Sequence, residues 1–344
     1  MAVLLPAARR PRATTQATAG KVPRRRSAQR TRRTLREGLL FWTLIAPNLT
    51  AIVLFGYYPT LYNVVLSFTE WDFVQPAPVL VGLENYLELF QPGSMLMEAL
   101  SNTALFVLVA VIGTLVGGLA IGMLLAQKLR FTGLVRTMAF APHMLPGAAI
   151  GVLWLFMFDP NYGLSRWLFG LLGMDSPHWT TTSDFSLWAI IIAYAWQRLG
   201  FVAIIYYTAI LDLPKDVYEA AALDGARGWN LFRHLTLPLL SPVTFFLVVT
   251  GIIAAAQTFD IIATLTGGGP GTSSTTLPWM IYDQAFVDFN IGTSAATATV
   301  MFVLLLIVTA MLAVAVVIAL VGVVVLIGAI TFSKKQASAL TEEV

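Results

Sequence analysis

The sequence predicts an all-α integral membrane protein of six helical spans. Three observations predict it. Of 344 residues, 57% are hydrophobic and only 11% are charged, whereas a soluble globular domain carries roughly a quarter charged residues. The apolar residues gather into six stretches, each long enough for the roughly 20 residues that cross a bilayer core. The basic residues between those stretches fall almost entirely on one side, as the positive-inside bias requires. There is no cysteine, which excludes disulfides, thiolate metal sites and cysteine nucleophiles. His143, His178 and His234 lie too far apart in sequence for a metal-ligand spacing, so no metal site is expected.

Residues 1–38 come first and read as a disordered basic arm. They hold eleven of the 21 Lys and Arg, including "RRRSAQRTRR" (24–33), against one acid, Glu37. Apolar periodicity is absent. Such a run suits a cytoplasmic anchor on anionic lipid better than a nucleic-acid tail. No cleaved signal peptide is expected, because the apolar run that follows is longer than a signal h-region and no small-residue cleavage site ends it.

The spans are expected at about 39–68, 100–127, 136–158, 187–211, 240–264 and 292–332, a membrane domain covering 39–333 with a tail at 334–344. Pro47, Pro59, Pro142 and Pro146 fall inside them and predict kinks, tolerated where neighbouring helices satisfy the freed backbone groups. With residue 1 in the cytoplasm, 19 of the 21 basic residues lie inside, Arg166 lies outside and Arg198 lies within a span. Both ends are then cytoplasmic. Phe289–Ser333 runs for 45 residues without a charge. We expect one long span there, running past a core of roughly 30 Å.

The cytoplasmic loop 212–239 separates spans four and five. In "LPKDVYEAAALDG", Pro214 suits a first helical turn, and Asp216 and Glu219 sit early, where the helix dipole favours acids. Ala220 to Ala222 are strong helix formers with little bulk. Gly225 fits a C-terminus that needs positive φ. "RGWNLFRHLTLPLL" resumes with Asn230 as a cap and enters the membrane near Pro238. Two short helices with a turn between them result. The residues alone allow two uses: an alanine face beside a carboxylate for a docking protein, or a connector lying on lipid.

Polar groups inside spans usually face a cavity or a partner. Gln197 and Arg198 lie deep in span four, and Gln257 and Asp260 in span five. Asp260 lies nearer the outer face than Arg198, by roughly 8 Å at 1.5 Å per residue. The two form either an ion pair between helices or part of a solute path. Asn102, Tyr206, Tyr207 and Trp196 are weaker candidates for that path.

The cytoplasmic loop is similar to the EAA motif of permease subunits in bacterial ABC importers. Glu219-Ala220-Ala221, three residues, Gly225, nine residues and Leu235-Thr236-Leu237-Pro238 match it, with Leu235 standing for the usual Ile. "FGYYPTLYNVVLSFTEW" (55–71), "VGLENYLELF" (81–90), "DPNYGLSRWLFG" (159–170) and "LTGGGPGTSSTTLPWMIYDQAF" (265–286) resemble carbohydrate-type permeases. The likeness is to the first permease of the maltose and glycerol-3-phosphate systems. The basic arm and the overlong last span depart from that pattern.

The resemblance implies a six-transmembrane-helix, type I ABC importer permease fold. It implies that Glu219 is the charged contact of a coupling helix, Ala220 and Ala221 its close-packed face, Gly225 its turn, and Asp224 and Pro238 parts of the same motif. It implies a second permease, a pair of ABC ATPase subunits and an extracellular solute-binding lipoprotein as partners. ATP and Mg would belong to the ATPase. This chain has no G-x-x-x-x-G-K-[ST] loop, and "GGGPG" (267–271) lacks the lysine and reads as a tight outside turn. A self-sufficient carrier using Asp260 as proton relay is the competing function, but it leaves the EAA loop unexplained. For a membrane enzyme we find no metal site and no nucleophile with its base.

Overall fold

The structure is a computed structural model that describes residues 25–127 and 132–342. Two units divide the chain between Thr60 and Leu61. In the first, helix α1 (Arg25–Ile52) leads to a π-turn (Val53–Tyr57) and the start of α2 (Tyr58–Leu66). The π-turn has a cause in Pro59, whose ring crowds the carbonyl four residues back. The ladder widens, and the Tyr58 N–H donates to the Val53 carbonyl, five residues back. Leu40–Leu66 has the length and apolarity of a span.

Helix α1 corrects the expectation of a structureless arm over 25–38. Residues 25–37 contain no Gly or Pro and are rich in Arg, Leu, Ala, Gln and Glu, which all propagate helix well. Residues 1–24 lie outside the described residues, as do Lys128 and Arg130.

The second unit is built on α4 (Met95–Leu125) packed along α8 (Ser183–Leu211). Without a hydrophobic drive inside lipid, helices associate through close packing of small residues. Gly118 and Gly122 supply that face on α4. A Cβ on Gly122 would stand 2.9 Å from Tyr206 Cβ and 3.0 Å from the Ala203 carbonyl oxygen. Phe106, Ile150, Ile190, Tyr194 and Ile261 fill the core above it. Gly122→Val therefore drives a branched side chain into the backbone of α8. We expect the detergent-solubilised protein to lose about 1–3 kcal/mol, the usual range for overpacking, read as a lower melting temperature. An unchanged melting temperature would show that the two helices part freely at this point.

Two expected spans are broken. The stretch 136–158 is α5 (Thr132–Phe140), a 3₁₀ turn (Ala141–Met144) and α6 (Gly147–Met157), bent by 103°. Pro142 and Pro146 stand at the bend, each removing an N–H donor and crowding the preceding turn. The stretch 240–264 is α12 (Ser241–Ala256), a break at Gln257–Phe259, and α13 (Asp260–Leu265). Asp260 opens α13, where a first-turn carboxylate favours a new helix start. Among the described residues four helices are long and apolar enough to span, six if the bent pairs Thr132–Met144 with Gly147–Met157 and Gly228–Leu239 with Ser241–Ala256 each count as one.

The segments between the spans include strands β1 (Thr69–Glu70) and β2 (Val79–Leu80), an antiparallel pair. Helices α3 (Glu84–Leu89), α7 (Leu164–Leu171) and α14 (Leu277–Phe286) lie in the loops. Helix α15 (Ile291–Glu342) runs unbroken for 52 residues, about 78 Å at 1.5 Å per residue. It continues through Lys334 and Lys335 into the tail expected at 334–344. No proline interrupts it, and its final turns are rich in helix formers.

Candidate functional site

The EAA loop forms α9 (Lys215–Leu223), α10 (Gly228–Leu231), a second π-turn (Phe232–Thr236) and α11 (Leu237–Leu239). Pro214 is the N-cap of α9, one position before its expected place, and Asp216 is in the first turn. At the other end Gly225 adopts φ +78°. The Ala226 N–H donates to the Ala221 carbonyl at 2.9 Å and the Gly225 N–H to Ala222 at 3.2 Å. This six-to-one and five-to-two pattern closes a helix with a left-handed residue, a role for which glycine has no Cβ penalty.

Glu219, Ala220 and Leu223 face solvent, Leu223 at 90% exposure. Ala221 is half-buried. One step of about 100° around a helix turns it away from Ala220. Leu223 joins the outward face instead; the sequence match skips it because the motif fixes no residue there. Asp224 is exposed and caps α9. Asn230 lies inside α10, whose N-cap is Arg227; its carbonyl bonds His234 Nδ1 at 3.1 Å. Pro238 follows the second π-turn by two residues, as Pro59 follows the first. The Leu237 N–H reaches back to Phe232, and the chain then bends by 64° into α12.

The second site is a cavity of about 460 Å³ between α8, α12, α13 and the start of α6. Gln197, Arg198, Gln257 and Asp260 line it together, joined by Tyr194, Thr250 and Thr258. Gln257 lies in the break after Ala256 and Asp260 opens α13, and both stand on the cavity wall. Gln197 Nε2 donates to the Leu145 carbonyl at 3.0 Å, bracing the bend between α5 and α6.

Arg198 and Asp260 do not pair; among the described residues no ion pair joins them. Each has other company. The Arg198 guanidinium lies 5.7 Å from the Tyr194 ring centre, a cation–π distance, while its buried Nε has no hydrogen-bond partner. The Asp260 carboxylate rests against Gly147, the first residue of α6, where a Cβ would collide with it. A carboxylate at the start of an 11-residue helix faces its positive end. The ion-pair alternative therefore falls; the carboxylate lies against the start of α6 instead.

Asn102 and Tyr206 lie elsewhere. Asn102 Nδ2 donates to the Thr272 and Thr275 carbonyls at 2.9 and 3.0 Å, bracing the loop after α13. Tyr206 is 1% exposed, and its hydroxyl donates to Thr244 Oγ1 at 3.0 Å between α8 and α12. Tyr207 accepts from Arg136 at 2.9 Å, and Trp196 packs edge-on against Trp154. The GGGPG segment turns on Gly267, Gly268 and Gly271, all with positive φ. In the loop after α6, the Asn161 and Tyr162 N–H groups donate to the Asp159 carboxylate. Those bonds, Asn161's first, hold the carboxyl below its ordinary range.

Comparison with known proteins fits this architecture. Residues 118–332 match the family described as "Binding-protein-dependent transport system inner membrane component". A probable ABC transporter permease of Pyrococcus horikoshii is 35% identical over 77% of this chain and 91% of its own. The trehalose/maltose transport system permease MalF of Thermococcus litoralis is 30% identical over 78% and 91%. A bacterial alginate ABC transporter, solved with a pentasaccharide-bound periplasmic protein, shares the fold at a TM-score of 0.70 and 20% identity, covering 81% of this chain and 94% of that one. The chain belongs to the binding-protein-dependent ABC importer permeases. It is a multi-pass membrane protein and a transport subunit, which removes the self-sufficient carrier as a reading.

Proposed function

We propose that this permease moves a sugar, or a sugar- or glycerol-phosphate-like solute, through the cavity walled by Gln197, Arg198, Gln257 and Asp260. The observation that carries the proposal is that cavity. Two amides, a guanidinium and a carboxylate from two broken or deep helices converge on one space, which suits a solute rich in hydroxyls or carrying charge.

Helix α9 is the coupling element, with Glu219, Ala220 and Leu223 turned toward a pair of cytoplasmic ABC ATPase subunits that bind ATP and Mg. This chain has no nucleotide site of its own. A second permease completes the path and an extracellular binding lipoprotein delivers the solute. Both chain ends are cytoplasmic, and the basic segment 1–38 lies on anionic lipid.

Purification of the tagged chain from native membranes in mild detergent, with mass spectrometry of co-purifying chains, tests the assembly. We expect a Walker-motif ATPase, a second EAA-bearing permease and a binding protein whose retained ligand identifies the solute. Recovery of the chain without an ATPase would end this reading.

A further inference from the structure

Helix α9 packs only partly against its neighbours. A cavity of about 530 Å³ lies behind it, lined by Lys215, Tyr218 and Glu219 on one side and by Met123, Ile210, Leu213 and Thr236 on the other. None of the α9 side chains is fully buried. The helix is bounded by Pro214 at one end and by Gly225 at the other. Across the cavity runs one directional contact. The Tyr218 hydroxyl donates to Thr236 Oγ1 at 2.9 Å, eighteen residues on.

Both partners suit a connection. Tyr218 is half-buried on the inward face of α9. Thr236 is 8% exposed and is the last residue of the second π-turn, where the chain prepares to bend into α12. A π-turn widens the regular ladder, and such turns occur frequently at functional sites. The ring of Tyr218 is stiff, with two rotatable bonds, so its hydroxyl fixes a distance that a flexible side chain would not.

We propose that the Tyr218–Thr236 hydrogen bond is the strut that makes α9 and the entry to span five move as one body. Tyr218 is a positioning residue: it touches neither solute nor nucleotide. Displacement of α9 by a docked ATPase then reaches α12 through the strut before the Gly225 turn can absorb it. The proposal rests on α9 being the docking element.

This chain has no cysteine, so it adds no background to paired spin labels once the partner chains are made cysteine-free. Labels go at Val217→Cys on the flank of α9 and Phe246→Cys on α12, both exposed. Distances are measured in the assembled complex, nucleotide-free and trapped with ATP and vanadate. With Tyr218 and Thr236 intact we expect one narrow distance, the same in both states. In Tyr218→Phe or Thr236→Val we expect a broader distribution whose mean shifts on trapping, and Thr236→Ser restores the narrow one. An intact chain whose distance changes on trapping, or a Tyr218→Phe chain that behaves like the intact one, overturns the strut. Docking is read separately: Glu219→Lys and Leu223→Asp complexes that both keep their ATPase remove the reading on which the strut rests, whatever the labels report.

Discussion

Glu219→Lys is expected to leave the chain inserted at normal abundance while the ATPase no longer co-purifies and uptake falls at least tenfold. Glu219 is exposed, at the edge of α9 between the cavity wall and the outward-facing Ala220. It has no structural duty that a lysine would spoil, so folding should be indifferent. An interface in which a small alanine face lets a partner come close also desolvates the carboxylate beside it. Reversing such a charge removes one partner of a pair and sets like against like, for which losses of about 2–5 kcal/mol are usual. That range corresponds to roughly thirtyfold to several thousandfold in affinity, so a tenfold fall is a lower bound. Leu223→Asp serves as a second probe of the same face: a charge on a side chain that is 90% exposed is harmless to the monomer but not to an apolar contact. Full ATPase recovery with both variants would mean that α9 lies on lipid instead.

What the sequence made legible follows the physics of each signal. Apolar length located the stretches because a bilayer demands it, and Gly225 was legible because positive φ at a helix end has few other solutions. The breaks were not. Pro142 and Pro146 announced a kink, but a 103° reversal depends on what packs beside it. The end of α12 at Ala256 carries no proline or glycine; Gln257 and Asp260 leave the helix because their polar groups find the cavity and the start of α6. Apolar count alone read that segment as one span. The same limit explains Asn102 and Tyr206. A polar group in a span declares that it needs a partner, not whether the partner is a solute, a loop carbonyl or Thr244. The reach from Tyr218 to Thr236 crosses eighteen residues and a bend, which no local periodicity records.

Arg198→Met is expected to abolish uptake of the solute identified from the binding protein while leaving the complex assembled and melting no lower than the parent. The two readouts separate function from architecture. A guanidinium held in place for the fold would have its donors satisfied, and its loss would leave a partner stranded. Arg198 instead keeps a buried Nε without a partner and shares a cavity with a carboxylate that answers to the start of α6. Holding that charge inside a membrane helix is unfavourable, so an apolar side chain of similar length relieves the fold as it disables the path. Asp260→Asn supplies the opposite sign. Its carboxylate faces the positive end of α6, and neutralising it forfeits about 0.3–2 kcal/mol of dipole stabilisation, so the melting temperature should fall. An Arg198→Met complex that melts lower and still transports would assign Arg198 to the scaffold. A complex that holds its melting temperature and loses transport assigns it to the path, because a charge kept at the expense of stability is kept for what it binds.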